Sequence, residues 1–210
     1  MIRVLIIDDH ETVRRGLKEI FADEFPDLEV DEASNSQAAV ELIAARKWDL
    51  LLLDINIPGR NGLEVLQEAK RLRPETPVLI LTAYPEAEFA LRSFKLGASS
   101  YLNKGRASDE LVAAAKKALA GGRYVTASLA EKLAAALGGN LEQAPHDGLS
   151  IRELQVLRMV ARGMTIKEIA AELALSEKTV GTYRSRISKK MGLATNVELA
   201  RYALQHRLVD

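Results

Sequence analysis

Four places in this 210-residue sequence carry side chains suited to handling phosphate: the adjacent pair Asp8-Asp9, then Asp54, Thr82 and Lys104. Clustered carboxylates repel one another unless a cation joins them. Hard oxygen donors of this kind favour Mg²⁺, which keeps several waters and takes only one or two carboxylates directly. A carboxylate can attack phosphorus and become an aspartyl phosphate. Mg²⁺ and the Lys104 ammonium would then neutralise the phosphoryl oxygens, since positioning and electrostatics do most of the work in phosphoryl transfer. Thr82 could donate its hydroxyl to one of those oxygens. Taken singly, each residue has a bland reading: a solvated acid at a strand end, a capping hydroxyl, a loop lysine. Taken together they do not.

What groups them is the element that precedes each one. Trp48 to Gly62 reads WDLLLLDINIPGRNG, in which Leu50–Leu53 is a short, wholly apolar run ending on Asp54. Such a run fits a strand buried on both faces of a parallel sheet. Pro58, Gly59 and Gly62 then enforce a turn. Arg3–Ile7 ends in Asp8-Asp9, Val78–Leu81 ends in Thr82, and Ser99–Leu102 leads to Lys104. Leu28–Ala33 is a further strand. Helical spacing fills the intervals: Val13, Leu17, Ile20 and Phe21; Ser36–Ala45 with Val40 and Ile43 inward; Leu63, Leu66, Ala69 and Leu72 up to Pro74; Glu86–Leu96 closed by Gly97; and a last helix capped by Ser108 with Leu111, Val112, Ala115 and Leu119 inward. Five strands alternating with five helices predict an α/β fold, a flavodoxin-like doubly wound five-stranded parallel sheet in the order 2-1-3-4-5. In that order the ends of strands 1, 3, 4 and 5 surround one crevice at the carboxyl edge.

Length allows one large domain or two small ones. There is no cysteine, so neither disulfides nor a thiolate metal site enters. No apolar run approaches the ~20 residues that span a bilayer, and Met1–Asp9 has no signal-like leader; a cytoplasmic protein without membrane contact is the default expectation. The formal net charge of zero hides an asymmetry. Residues 1–122 carry 16 Lys and Arg against 20 Asp and Glu, whereas residues 149–210 carry 11 against 6. An acidic first part beside a basic last part points to two domains, the second with a polyanionic partner. The stretch 123–148 is expected to be a linker, with a short alanine-rich helix over Thr126–Leu137 and a flexible hinge over Gly138–Gly148.

Residues 149–210 read as an all-α domain of four helices. Three start with a capping box, a hydroxyl residue followed three positions later by Glu: Ser150…Glu153, Thr165…Glu168 and Thr195…Glu198. Ser176 caps the remaining one. Leu154, Leu157, Met159 and Val160 form the inner face of the first helix, and Ile166, Ile169, Ala170 and Leu173 that of the second. After the break Ala174-Leu175-Ser176, the helix Glu177–Met191 turns Val180, Ile187 and Met191 inward and Arg184, Arg186, Lys189 and Lys190 outward. Two short helices joined by a tight turn, the second rich in basic and hydroxyl residues, suggest a helix-turn-helix that enters the DNA major groove. A small bundle with solvated lysines is the plainer alternative. The candidate DNA contacts are Lys167, Lys178, Thr179, Thr182, Tyr183, Arg184, Ser185, Arg186 and Lys189, cations for phosphates and short polar side chains for base edges.

On Asp8-Asp9, Asp54 with Pro58-Gly59, Thr82-Ala83, Gly97-Ala98, Tyr101 and Lys104, the first 122 residues resemble the receiver domain of two-component response regulators. The resemblance implies that Asp54 is phosphorylated by a partner histidine kinase or a small phosphodonor. It implies that Asp9 and Asp54 hold Mg²⁺ by side chain, Asn56 by its backbone carbonyl, and Asp8 through a water. It also implies a switch in which Thr82 moves to the phosphoryl group and Tyr101 turns inward. Gly105 stands where many receivers have proline, which removes the reason for a cis bond there.

Residues 149–210 resemble the LuxR-type (NarL/FixJ) DNA-binding domain through Leu149-Ser150, Arg152-Glu153, Val156-Leu157, Gly163, Lys167-Glu168-Ile169-Ala170, Leu173, Ser176, Thr179-Val180 and Lys190. That implies a recognition helix near Glu177–Met191 and a last helix, Asn196–His206, able to mediate dimerisation. Gly181 stands where the family often has lysine and Tyr183 where it often has histidine, so base reading shifts towards Thr182, Arg184 and Ser185. Tyr183 beside an arginine resembles the GacA/UvrY branch.

The expected function is therefore a phosphorylation-controlled, DNA-binding transcription regulator. Its expected partners are a sensor histidine kinase, double-stranded promoter DNA, a second copy of the chain when phosphorylated, and RNA polymerase. Three other classes compete. A haloacid-dehalogenase-type phosphatase also uses aspartate, Mg²⁺, a hydroxyl and a lysine, but needs an Asp-x-Asp pair on its first strand. A dinucleotide-binding oxidoreductase needs a Gly-x-Gly-x-x-Gly that is absent here. A constitutive DNA binder with an inactive receiver would not need the full acid, Thr and Lys set.

Overall fold

A computed structural model describes residues 1–105, 108–137, 144–173, 175–206, 208 and 209 of the chain. The chain divides into two compact units, Met1–Leu141 and Glu142–Asp210.

The first unit is built from β1 (Ile2–Ile7), α1 (Glu11–Glu24), β2 (Leu28–Ala33), α2 (Ser36–Ala45), β3 (Leu50–Leu53), α3 (Gly62–Leu72), β4 (Val78–Thr82), α4 (Glu86–Lys95), β5 (Ser100–Asn103), α5 (Ser108–Leu119) and α6 (Ala127–Leu137). The five strands form one all-parallel sheet in the order β2-β1-β3-β4-β5. The continuous apolar runs in β3 and β4 are buried along their whole length, as strands covered by helices on both faces must be. β2 at the edge differs. Its Glu29 and Asp31 pair with Arg46, and Glu32 pairs with Arg14 and Lys18. Charge along an exposed strand edge discourages pairing with a second chain.

Register brings the chemistry together. Ile7 pairs with Leu53, so Asp8 and Asp54 leave neighbouring strands side by side, and the Asp54 amide donates to the Ile7 carbonyl at 2.8 Å. Thr82 pairs with Asn103, so Lys104 emerges next to Thr82 and donates its amide to the Thr82 carbonyl at 2.8 Å.

Several local expectations need correction. Ser108 is the first residue of α5 rather than its cap. On α2 it is Ala39 that is buried with Ile43, because the helix lies one residue round from the expected face, leaving Val40 half-buried. Within the expected linker the short helix does form, as α6, which packs on α4 in the first unit, and a 3-10 turn over Pro145–Gly148 follows in the second. Of the expected hinge, residues 138–143 lie outside the described residues, as does Ala174 in the expected break.

The second unit holds α7 (Ile151–Ala161), α8 (Ile166–Glu172), α9 (Glu177–Met191) and α10 (Asn196–Gln205). All three expected capping boxes form, on Ser150, Thr165 and Thr195, and Ser176 accepts from the Thr179 amide. Each cap satisfies amides that the first helical turn leaves without partners. Val156, Leu157, Ile169, Val180, Ile187, Leu199 and Ala203 form the buried centre. Ile166 does not join them and is 41% exposed. It is the first residue of a seven-residue helix, where a side chain leans back past the end of the packed surface. Met159 and Leu173, also expected inward, are half-buried.

Candidate functional site

At the carboxyl edge of the sheet, Asp8 and Asp54 are both buried, and Lys104 Nζ lies 2.6 Å from an oxygen of each. The second oxygen of Asp54 accepts from the Asn56 amide at 3.1 Å, and the second oxygen of Asp8 accepts from the His10 amide at 2.9 Å. Asp9 Oδ1 is shut off from solvent and accepts no hydrogen bond. The His10 imidazole lies beside it with Nδ1 at 2.8 Å, while the hydrogen bond of Nδ1 is to Asp8 Oδ1 at 3.2 Å. One donor atom from each of Asp8, Asp9, His10 and Asp54 falls within 4.8 Å of the others.

The β3–α3 loop that carries Asp54 is held by close approach. Gly62 donates its amide to the Ile55 carbonyl at 2.9 Å, and a Cβ there would lie 2.3 Å from the Asp54 carbonyl oxygen. Across the loop, Ser36 donates its amide to the Pro58 carbonyl, and its hydroxyl accepts from the Arg60 amide at 2.7 Å. Thr82 is fully buried, and its hydroxyl oxygen lies 3.5 Å from the Tyr84 amide. Tyr101 is turned inward and donates its hydroxyl to the Tyr84 carbonyl at 3.1 Å. Asn103 ties the two neighbouring loops together, donating to the Ala83 carbonyl and accepting from the Gly105 amide.

In the second unit, Val180, Ile187 and Met191 are the buried side of α9. Opposite them Lys178, Thr182, Ser185 and Lys189 run in one exposed stripe at helical spacing, flanked by exposed Arg186. Lys167 on α8 is exposed too. The other expected contacts have internal duties. Arg184 donates to Asn196 Oδ1, to the Ala194 carbonyl and to Ser188, and so fastens α9 to the loop before α10. The Thr179 hydroxyl pairs with the capping Ser176 hydroxyl, and Thr182 donates to the Lys178 carbonyl. Tyr183 is half-buried at the side of the stripe.

Residues 4–116 match the model of the response regulator receiver domain, and residues 147–203 match that of the bacterial regulatory proteins of the luxR family. The response regulator GacA of Pseudomonas aeruginosa is 36% identical over 211 aligned positions, covering all of this chain and 99% of that one. The response regulator UvrY of Escherichia coli is 35% identical, with coverage of 100% and 97%. A solved complex of the response regulator RcsB with DNA shares the fold, with a TM-score of 0.58 at 23% identity over 96% of each chain.

The chain is a LuxR-type response regulator. It carries a receiver and a LuxR-type DNA-binding domain and belongs to the transcription regulators of two-component signalling. Full-length relatives that are regulators remove the phosphatase and oxidoreductase alternatives.

Receiver domains take Mg²⁺ at this acidic pocket, and the donors fit. They are hard oxygens, one of them buried without a partner. The electrostatics agree. Burial pushes the Asp54 carboxyl above its ordinary range, against the pull of Lys104 and the Asn56 amide. Burial acts to lower the Lys104 ammonium, yet its bonds to Asp54 and Asp8 prevail and hold it above its ordinary value. One lysine is thus shared among more negative charge than it can neutralise. Among the described residues no peptide bond is cis, the one after Lys104 included.

Three participants escaped the sequence reading. His10 directly follows the acid pair, and that adjacency was the available signal. Asn103 precedes Lys104, one residue past the expected strand end Leu102, and carried no signal of its own. Ser36 gave no signal, since its role depends on a loop 24 positions away in sequence.

Proposed function

We propose that Asp54 is the phosphoacceptor of this regulator, and that its phosphorylation by a sensor histidine kinase or a small phosphodonor controls DNA binding. The reading rests chiefly on one observation: a single ammonium, Lys104, bridges two buried carboxylates at 2.6 Å each at the end of a parallel sheet. An Asp54 oxygen attacks the donor phosphorus. An O–P bond forms, the bond from phosphorus to the donor breaks, and the donor leaves with its electron pair. Lys104 follows the charge onto a phosphoryl oxygen, and the Thr82 hydroxyl donates to another. Asp9 and Asp54 would hold Mg²⁺ by side chain, Asn56 by its carbonyl and Asp8 through water. Bound there, Mg²⁺ would supply positive charge against the phosphoryl oxygens.

The move of Thr82 towards the phosphoryl group is coupled to Tyr101, whose hydroxyl rests on the Tyr84 carbonyl two residues after Thr82. The added charge thereby biases a two-state element. Residues 1–122 serve as the receiver, 123–148 as the connecting segment and 149–210 as the DNA-binding domain. Lys178, Thr182, Ser185, Arg186 and Lys189 face the major groove. Lys167 meets phosphate, Thr179 and Tyr183 stand at the margin, and Arg184 acts first as a brace for the recognition helix. Val197 and Leu204, seven residues apart on α10 and 78% and 56% exposed, suit pairing of two copies on DNA half-sites. No helix among the described residues is long and apolar enough to cross a membrane. The cytoplasm, with promoter DNA and RNA polymerase, is the setting that suits a DNA-binding regulator.

The test is the intact mass after incubation with acetyl phosphate and Mg²⁺. A gain of one phosphoryl group in the wild type, absent in Asp54→Asn, is expected. A gain that persists in Asp54→Asn would overturn the assignment.

A further inference from the structure

His10 lies at the lip of the acidic pocket with its ring aimed at the carboxylates. Nδ1 is 2.8 Å from Asp9 Oδ1 and 3.2 Å from Asp8 Oδ1. Two donors that sit at right angles around an ion, each ~2.1 Å from it, lie about 3 Å apart. The imidazole therefore stands at the separation from Asp9 Oδ1 that neighbouring ligands of one small divalent ion adopt, with Asp8, which would reach the ion through water, just beyond.

Its backbone keeps it there. The His10 amide donates to Asp8 Oδ1, and its carbonyl accepts from the Val13 and Arg14 amides at the start of α1. The ring's own hydrogen bond also points into the pocket, to Asp8 Oδ1 at 3.2 Å, and His10 occupies the cap position of α1 without a side-chain cap bond. It is also accessible, with 60% of the side chain exposed. Oxygen donors alone leave a site suited to Mg²⁺, whereas imidazole suits the later first-row ions.

We propose that His10 is a direct nitrogen ligand of the pocket's divalent ion, through Nδ1, with the ring proton on Nε2. His10 thereby makes this receiver a mixed nitrogen and oxygen site, with a preference for Co²⁺ and Ni²⁺ over Mg²⁺ stronger than the carboxylates alone would give. The proposal rests on the reading of the acidic pocket as a metal site, and on no change in the protonation of the carboxylates.

The experiment uses the full chain freed of metal by a chelator. Binding of Mn²⁺ is followed by the loss of the free-ion electron paramagnetic resonance signal, with Mg²⁺ and Ni²⁺ as competitors, for the wild type, His10→Ala and Asp9→Asn. Pulsed measurements on the bound Mn²⁺ report any directly coordinated nitrogen. The wild type is expected to show that nitrogen coupling and His10→Ala to lack it, which also separates His10 from the chain's other two histidines. His10→Ala is expected to weaken Ni²⁺ by more than the ~10-fold that loss of an outer partner costs, while Mg²⁺ stays within about twofold.

Absence of nitrogen coupling in the wild type, or equal losses for Ni²⁺ and Mg²⁺, overturns the role of His10. If Mn²⁺ is displaced by Mg²⁺ and needs Asp9 yet carries no nitrogen, the acidic metal pocket stands and only the histidine falls. If Mn²⁺ binding neither competes with Mg²⁺ nor weakens in Asp9→Asn, the pocket reading fails with it.

Discussion

Lys104 in the first unit and Lys190 in the second each hold a buried carboxylate at 2.6 Å, each carboxylate also accepts a backbone amide, and the two sites differ in whether the lysine is shared with a second acid. Glu153, the partner of Lys190, also accepts from the Ser150 amide in its capping box at 2.6 Å. Burial pushes Glu153 up, but Lys190 and Ser150 together outweigh it and hold the carboxyl below its ordinary value of 4.5. Asp54 has a lysine that is also claimed by Asp8, and burial prevails. A buried acid is therefore no sign of chemistry in itself. One whose partners fully satisfy it fastens helices, whereas one left short of positive charge is open to a cation, as the role proposed for Asp54 requires.

The sharpest way to break this comparison is to deform the crowded site without touching a charge. A Cβ at Gly62 would lie 2.3 Å from the Asp54 carbonyl oxygen and 2.6 Å from Ile55 Cα, both backbone atoms that cannot step aside. Gly62→Ala is expected to destabilise the receiver by about 3 kcal/mol, the upper part of the range for overpacking, and to suppress phosphorylation by moving Asp54. Trp48, the chain's single tryptophan, is buried in this unit, so its fluorescence in urea reads the receiver. A midpoint within error of the wild type would show that the loop is not held by this approach.

In the satisfied site the expected loss is smaller. Lys190→Met leaves Glu153 buried without its cation. The cost is about 2 kcal/mol, below the figure for a fully buried pair because Lys190 is close to half exposed. Calorimetry of the full chain should show the second unit's transition moving down. Its pH dependence has a definite sign. A carboxyl held low in the folded state contributes stability that is fully present above pH 4.5 and is lost as pH falls through the lowered folded value. Glu153→Gln should flatten that acid limb, and an unchanged limb would assign the loss to other groups.

Asp54 should behave in the opposite sense. Its raised folded pKa means that stability is lost as pH rises above its ordinary value of 3.8, so without a divalent cation its charge weighs on the receiver at neutral pH. Asp54→Asn leaves Lys104 paired with Asp8 and is expected to raise the Trp48-reported stability. Mg²⁺ should stabilise the wild type more than the variant. A variant less stable than the wild type would mean that the Lys104 pair outweighs burial, and the contrast with Glu153 would collapse.

The two units were also legible to different degrees. The helical unit could be read almost residue by residue because its start signals are local: a hydroxyl and a glutamate three positions apart specify each capping box, and all three formed. Its misses, Ile166, Met159 and Leu173, depend on where a neighbouring helix ends, which no local pattern carries. In the receiver the apolar runs gave the strands and their order, and the terminal residues gave the acids, Thr82 and Lys104. What could not be read was how charge is shared. That Lys104 serves Asp8 as well as Asp54 follows from the pairing of Ile7 with Leu53 and of Thr82 with Asn103, long-range contacts fixed by sheet register. The inner duty of Arg184 was hidden for the same reason. A basic residue on a recognition helix reads as a DNA contact until the chain returns to place Asn196 and the Ala194 carbonyl against it.

The smallest expected effect tests whether the stripe on α9 is shaped for DNA at some expense to the helix. Gly181 lies near one edge of the stripe of Lys178, Thr182, Ser185 and Lys189, and a Cβ there would meet nothing within 4 Å. Glycine inside a helix costs roughly 0.5–1 kcal/mol relative to alanine, through backbone freedom lost on folding. With open space around it, Gly181→Ala should recover about that much in the second unit's calorimetric transition. Gly181→Lys should recover nearly as much and add a cation beside the stripe. If that cation reaches a phosphate, the salt dependence of DNA binding steepens by about one unit of log–log slope. A steeper slope with Lys and an unchanged one with Ala would mark this edge of α9 as lying against the DNA backbone. No change with either variant would turn the DNA-facing side towards Arg186 and away from Gly181.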